Sequence, residues 1–472
     1  MVSSLVTSVM IPYQNPWFLI RLAKSYLADK TRLMHFSPDR LRRYQDASLR
    51  KMVRYADTVP LYHAKFKECD VRPADIKGIG DLEKLPLVTK EDLRNNYPNG
   101  IIPLDYQEQS GFSIHTSGST GQPVFVFTDI YSAITSLLGF VRTLEYYGGN
   151  WNKSRVSLII DTSPGSVENM VFTSSAFPFL SRFIKMSNIL YLDITEDPEV
   201  LVKKLEEFQP EFLGSDPIIL RKLSYLRYQG IGENLSPKHV FSSGAMLDAY
   251  TRGYVEQAFG TSIVDVYGTT EAGPLAFQCK SGKMYHVHSD FVYLEFLDET
   301  NEIVTTETPG RIVVTKLYGG GTPIIRYTGF NDLVTPYFSS DDCALKTQFI
   351  KCIEGRQTDM LVMPDNSYFS PLTVTGIPAK IMQEYGSYKI QQFQIIQRSK
   401  HKIQVLIVID ALQRDKGIAV PDLLKELKGR FQESIGHGVD IEVLEVSSIQ
   451  DGEPTDNIKV VISEVPQSRL PE

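Results

Sequence analysis

Nine consecutive residues, His115-Thr116-Ser117-Gly118-Ser119-Thr120-Gly121-Gln122-Pro123, gather four hydroxyls and two glycines. Glycines let a backbone come close to an anion, and free N–H groups and Ser/Thr hydroxyls donate to its oxygens, so phosphate binding is the chemistry such a segment allows. Ser/Gly/Thr clusters are also ordinary turns, and this one is not a P-loop of the GxxxxGK[ST] type, so alone it leaves both readings open. Three further clusters follow in order: Val266-Tyr267-Gly268-Thr269-Thr270-Glu271, then Arg326-Tyr327-Thr328-Gly329-Phe330-Asn331-Asp332, then Gly355-Arg356-Gln357-Thr358-Asp359.

The elements that must position these residues show in the hydrophobic pattern. From residue 112 to about 275, short apolar runs (SRVSLIID, NILYLDI, PEFLGS, KHVFSSG, SIVDVYG) alternate with helical stretches such as PEVLVKKLEEF, PIILRKLSYLRYQ and YTRGYVEQAFG. That alternation predicts parallel strands with crossover helices, an α/β sheet. The 115–123 segment directly precedes the strand-like Val124-Phe125-Val126-Phe127. Between about 284 and 350, MYHVHSDFVYLEFLD, GRIVVTKLY and TPIIRYTG read as antiparallel strands or a small barrel. After Gly355 the tail restarts with its own strands and one clear helix, VPDLLKELKGRFQESIG. Nearer the N-terminus, residues 37–67 read as helix with Ser37 as its cap, and Thr89 before Lys90-Glu91-Asp92 is a helix start to which no chemistry is assigned. The fold class is α/β (α+β multidomain): a large N-terminal domain, 1–355, with a mostly parallel sheet and a small barrel-like β region, and a small C-terminal α+β domain, 356–472.

Bulk properties exclude several classes. A chain of 472 residues is too long for one ordinary core. With 42% hydrophobic and 22% charged residues, and no run approaching the ~18 apolar residues of a membrane span, it reads as a soluble protein with no membrane association. MVSSLVTSVMIPYQNPWF lacks the basic start and cleavage site of a secretory signal, so a cytoplasmic location is expected. The 49 basic and 56 acidic residues form no long block, which argues against nucleic acid. Four cysteines are too few for a disulfide scaffold. No GxGxxG follows a first strand, so a dinucleotide oxidoreductase is set aside.

The four clusters, in this order and spacing, resemble the adenylate-forming (AMP-binding) superfamily. The flanking RYADTVPLYHAKFKE, DLEKLPLVTKEDLR, FSSGAMLDAYTRGYVEQAFG and VYGTTEAGP narrow the likeness to its phenylacetate–CoA ligase-like branch, over roughly residues 37 to 465. The resemblance implies ATP-dependent activation of a carboxylic acid, aromatic or small and hydrophobic, to an acyl-adenylate, then transfer to a thiol such as coenzyme A. It implies that Ser117, Gly118, Ser119, Thr120 and Gly121 hold the ATP phosphates. Tyr267 would lie against the adenine, with Gly268 and Thr269 beside it and Ser243, Gly244 and Ala245 on the other side. Thr270 would contact the α-phosphate, Glu271 would bind Mg²⁺, and Asp332 would take the ribose hydroxyls. Arg356 would stand in the segment about which a mobile C-terminal domain turns. Tyr131, Ser132, Ser215, Asp216, Pro217 and Gly268 are expected to face the acyl pocket.

The chain departs from the family pattern near its end. Aligned on Val461-Ile462-Ser463, Asn457 stands where a Gly-Lys lysine is usual, and Lys459 is the expected surrogate, although two residues along a strand is about 7 Å. Gln122 likewise stands where many members carry lysine. Some relatives of the branch hold a structural zinc, and the matching positions here are Cys279, His286, Asp341 and Cys343, a set acceptable to Zn²⁺. Acyl transfer to an amine, carrier or sugar, or binding of a nucleotide or acyl ligand without activation, are the other readings; a homodimer is compatible with all of them.

Overall fold

The structure is a computed structural model that describes residues 32–106, 111–116, 123–163, 186–338, 343, 345–356, 360–449 and 460–466. The helical stretch over 37–67 is two helices, Pro38–Ala56 and Pro60–Glu68. Ser37 caps the first, its Oγ accepting from Arg40 N at 3.4 Å. The break falls where Pro60 lacks an N–H and its ring would clash with the preceding turn, so proline becomes the first residue of a new helix. Leu41, Gln45, Leu49, Met52, Val53 and Ala56 line the buried face of the first helix, at three- and four-residue spacing.

Strands β1 (Gly111–His115) and β2 (Phe125–Asp129) form an antiparallel hairpin. Five parallel strands follow: β3 (Val156–Ile160), β4 (Ile189–Asp193), β5 (Phe212–Ser215), β6 (His239–Ser242) and β7 (Ile263–Thr269). The crossover helices Pro198–Phe208, Pro217–Tyr228 and Ala249–Phe259 each start at an aspartate N-cap, namely Asp197, Asp216 and Asp248.

Among the described residues no closed barrel forms. Strands β8 (Gly273–Gln278), β9 (Tyr285–Val287), β10 (Val292–Leu297), β11 (Gly310–Lys316), β12 (Asp332–Tyr337) and β13 (Phe349–Arg356) are antiparallel and extend the same sheet. Its order among the described residues is β10-β11-β12-β13-β9-β8-β7-β6-β5-β3-β4. The cause is local: β7 pairs parallel with β6 on one edge, and a tight turn folds β8 back along its other edge. The expected strand TPIIRYTG contributes only isolated bridges, Val314 and Val88 both to Tyr327. Arg326, at φ 46°, breaks the extended run.

Beyond residue 360, Asp440–Glu445, Lys402–Ile409, Ile390–Ser399 and Val461–Ser463 make a second, four-stranded sheet. The helix Val420–Ile435 buries Leu423, Leu427, Phe431 and Ile435 along one face. This unit packs on the crossover helices through Tyr250, whose hydroxyl donates to Ile390 O at 2.6 Å and whose ring meets Phe393 edge-on. Among the described residues no helix is long and apolar enough to cross a membrane.

Candidate active site

Ligands of open α/β sheets settle in the crevice beyond the carboxyl ends of the strands. The loops leaving β5, β6 and β7 carry one group of the residues singled out in the sequence. Ser243 N donates to Ser215 O at 3.1 Å, which holds the two loops together. Gly244 is at φ 89°, and a Cβ there would lie 4.0 Å from Asp216 Cβ. The Ser215 and Asp216 side chains have structural partners: Ser215 Oγ donates to Ile159 O at 3.0 Å, and Asp216 accepts from Ile219 N at 2.8 Å as helix cap. Pro217 is buried at the first position of that helix. Ser243 and Gly244 are exposed.

Thr270, Glu271 and Ala272 form the turn between β7 and β8, tightened by Ala272 N donating to Thr269 Oγ1 at 3.1 Å. Gly268 is exposed, and a Cβ there would stand 3.1 Å from Gly273 O, so a side chain would crowd this turn. Glu271 is only 5% exposed, and Tyr327 Oη donates to its Oε1 at 3.3 Å. Burial raises the Glu271 pKa; the Lys90 ammonium and the Tyr327 hydrogen bond oppose that rise. Tyr267 Oη donates to Asp332 Oδ2 at 2.5 Å, joining the expected adenine-stacking ring to the expected ribose carboxylate. Asp332 pairs in register with Arg356 across β12 and β13. Gly355, at φ 105°, faces the Ser243–Met246 loop, where a Cβ would come 2.9 Å from Met246 Sδ. The longer Arg326–Asp332 segment turns at Asn331, whose φ is 55°, a conformation asparagine tolerates.

Ser117 to Gly121, with Gln122, lie outside the described residues, but both flanks of the segment are fixed. Thr116 N donates to Val124 O and Val124 N to Thr116 Oγ1, both at 3.0 Å, so the segment connects the arms of the β1–β2 hairpin. That hairpin rides on the loop Gly319–Thr322, where Gly321 is required: at φ 81°, a Cβ would come 2.2 Å from Phe127 O. Tyr131 and Ser132 open the helix Ile130–Tyr146 beside the same loop, with Ser132 Oγ accepting from Gly320 N at 3.3 Å. Lys459 also lies outside the described residues.

Lys90 is the residue sequence reasoning missed. It begins the helix Lys90–Asn96, which Thr89 caps, and the pattern gave no reason to look past that capping role. In the fold, Val88 docks on the Arg326–Thr328 segment, with Val88 N to Arg326 O at 3.0 Å and Thr328 N to Val88 O at 2.9 Å. This sets Lys90 among Glu271, Arg356 and Asp332; burial, the largest influence, lowers its pKa. Tyr327, quoted in the sequence but given no role, is the link that holds Glu271.

A second cluster sits at the far end of β8 and β9. Cys279 Sγ lies 4.0 Å from Cys343 Sγ, and Cys343 Sγ lies 3.3 Å from His286 Nε2. All three ligand atoms fall within 4.8 Å of one another. Two thiolates about 2.3 Å from one tetrahedral ion stand roughly 3.8 Å apart, so the spacing suits zinc. Burial would raise the Cys279 pKa, but hydrogen bonds involving Ser281, Tyr146 and Cys343 leave it lowered. His286 is lowered to about 4 by burial, which keeps the ring neutral as a metal ligand needs, and Thr347 Oγ1 lies 3.5 Å from its Nδ1. Asp341 lies outside the described residues.

Residues 43–317 match the family described as AMP-binding enzyme. Phenylacetate-coenzyme A ligase of Pseudomonas putida is 28% identical over 407 residues, spanning 83% of this chain and 88% of that protein. Protein CapK of Staphylococcus aureus is 24% identical over 361 residues, 75% of each chain. Among solved structures, 2-hydroxyisobutyryl-CoA ligase in the postadenylation state, in complex with R3-HIB-AMP, superposes with a TM-score of 0.73 over 91% of both chains at 19% identity, a likeness of fold.

Proposed function

The chain belongs to the AMP-binding enzyme family, and on that premise we propose that the crevice at β5, β6 and β7 is its active site and activates an aromatic or small hydrophobic carboxylic acid. The reaction is that of an ATP-dependent, AMP-forming acid–thiol ligase. A carboxylate is a poor electrophile; its oxygen attacks the α-phosphorus of ATP, pyrophosphate leaves with the bonding electron pair, and the acyl-adenylate so formed passes its acyl group to the coenzyme A thiol, releasing AMP. The carrying observation is the convergence of Tyr267, Glu271, Tyr327, Asp332 and Arg356 from three separate stretches of sequence.

In this reading Tyr267 flanks the adenine and Asp332 receives the ribose hydroxyls. Glu271 fits Mg²⁺, since Tyr327 presents one anionic oxygen of a buried carboxylate, the donor a hard cation prefers. When bound, Mg²⁺ neutralises charge on the phosphate oxygens. The 117–121 segment cradles the β- and γ-phosphates, and Thr270 meets the α-phosphate. The acid lies along Tyr131 and Gly268, and the chain divides at Gly355, with the tail turning about Arg356. Cys279, His286 and Cys343 hold a structural zinc with Asp341 as fourth ligand. The protein works in the cytoplasm, in keeping with four free cysteines.

Thermal unfolding tests the site. A ligand that binds only the folded state raises apparent stability, so MgATP or AMP should raise the midpoint of the wild type and do so far less in Asp332→Ala; equal shifts in both proteins contradict the assignment. Metal analysis of the same preparation should return about one zinc per chain, and a zinc-free sample removes that site.

A further inference from the structure

We propose that Lys90 is a catalytic residue of the adenylation step, its ammonium meeting the oxygens of the α-phosphate and of the departing pyrophosphate. The inference rests on the active site proposed above, and its grounds are geometric. The Lys90 stem lies over Gly329: a Cβ at that glycine would come 2.7 Å from Lys90 Cγ and 2.2 Å from Tyr327 Oη. The same hydroxyl holds Glu271 at 3.3 Å. Lys90 therefore enters the site at Gly329, three residues before Asp332 in sequence, alongside the hydrogen bond that presents the Mg²⁺ carboxylate. A glycine is needed at 329 for lysine and tyrosine to approach so closely.

The lysine is also firmly placed. Val88, two residues earlier, is hydrogen-bonded on both sides to the Arg326–Thr328 segment. Thr89 Oγ1 accepts from Asp92 N at 3.1 Å while Asp92 Oδ2 accepts from Thr89 N at 2.8 Å, and Lys65 Nζ stands 2.9 Å from Asp92 Oδ2. Neighbouring lysines spend their charge on carboxylates in this way, Lys84 on Asp81 for instance. Among the described residues no carboxylate lies within 4.0 Å of Lys90 Nζ, although Glu271 and Asp332 both act on it. Its charge is directed at the site without being neutralised by a direct ion pair.

The chemistry needs such a charge. As the acid oxygen bonds to the α-phosphorus and the bond to the bridging oxygen breaks, the electron pair moves onto pyrophosphate; a fixed cation there stabilises the transition state more than the ground state. Lys90 keeps its proton throughout. With Asn457 in the place usual for the family's lysine, the adenylation step has use for a cation from the N-terminal region as well as for the expected surrogate Lys459.

The test separates the two half-reactions. Acid-dependent ATP–pyrophosphate exchange reads adenylation, and thioester formation from synthetic acyl-adenylate and coenzyme A reads the second step. Lys90→Ala should lower the kcat of exchange on the order of 100-fold, with the KM for ATP altered much less, and should slow thioester formation at least ten times less. Lys90→Arg should recover part of the exchange. Unfolding midpoints of both variants near that of the wild type show that neither has simply failed to fold; if Lys90→Ala is unstable, Lys90→Met, which keeps the stem, carries the same expectation. Equal loss in both half-reactions, or unchanged exchange, overturns the role of Lys90. No exchange by the wild type with any acid overturns the proposed function itself, and Lys90 with it.

Discussion

Asp265 stands in β7, two residues before Tyr267, and is buried. Burial raises its pKa to about 6, with the Tyr285 hydroxyl donating to it at 2.7 Å and Arg252 opposing the rise. In the unfolded chain the group titrates near pH ~4. Between those values the folded protein holds a proton that the unfolded chain releases. The stability this carboxyl contributes is therefore fully present below pH ~4 and lost as pH rises through about 6, on the order of 2–3 kcal/mol. Asp265→Asn keeps an acceptor for Tyr285 and cannot ionise, so denaturation at several pH values should show a flatter profile and a more stable variant at pH 8; parallel profiles would refute the burial account. At this scale the sequence was partly legible. Glu271 and Asp332 could be read because they sit in ordered motifs. Lys90 could not, because a lysine in the first turn of an amphipathic helix looks like solvated surface until Val88 is seen docked on a segment more than 200 residues away.

Elements follow the same division. The strand–helix alternation from β3 to β7 was readable because its period is local, as were the caps at Ser37 and Thr89. The pattern from about 284 to 350 allowed either antiparallel strands or a small barrel, because pairing partners are not written in a strand; β7 joins both halves, and only its edges reveal it. Arg142 shows another limit. It lies inside the helix Ile130–Tyr146 with its side chain fully buried, making two hydrogen bonds of 2.8 Å to Asp290, which also receives Arg32 at 3.1 Å. This clamp fastens the helix Ile130–Tyr146 to the connection between β9 and β10. Removing one partner leaves a buried charge uncompensated, so Asp290→Asn should cost about 3–5 kcal/mol in chemical denaturation, whereas a loss below about 1 kcal/mol would mean the pair is solvated or dispensable.

Across the whole molecule, a long sheet carries the crevice at its parallel strands, and a second sheet is seated on the helices Pro217–Tyr228 and Ala249–Phe259. The seat is aromatic: Tyr228 stacks on Tyr388 at 5.7 Å between ring centroids, and Tyr250 meets Phe393 at 4.9 Å. Chain length and the restart of strands after Gly355 led to the expectation of two domains but not of this contact, since tyrosines that join two sheets look the same in sequence as tyrosines in any core. The most direct measurement is product analysis after incubating the pure protein with MgATP, coenzyme A and each of a panel of aromatic and short hydrophobic acids. The account predicts AMP, pyrophosphate and acyl-CoA in equal amounts, dependent on the acid. Formation of ADP and phosphate instead, or nucleotide consumption that no acid stimulates, would contradict it.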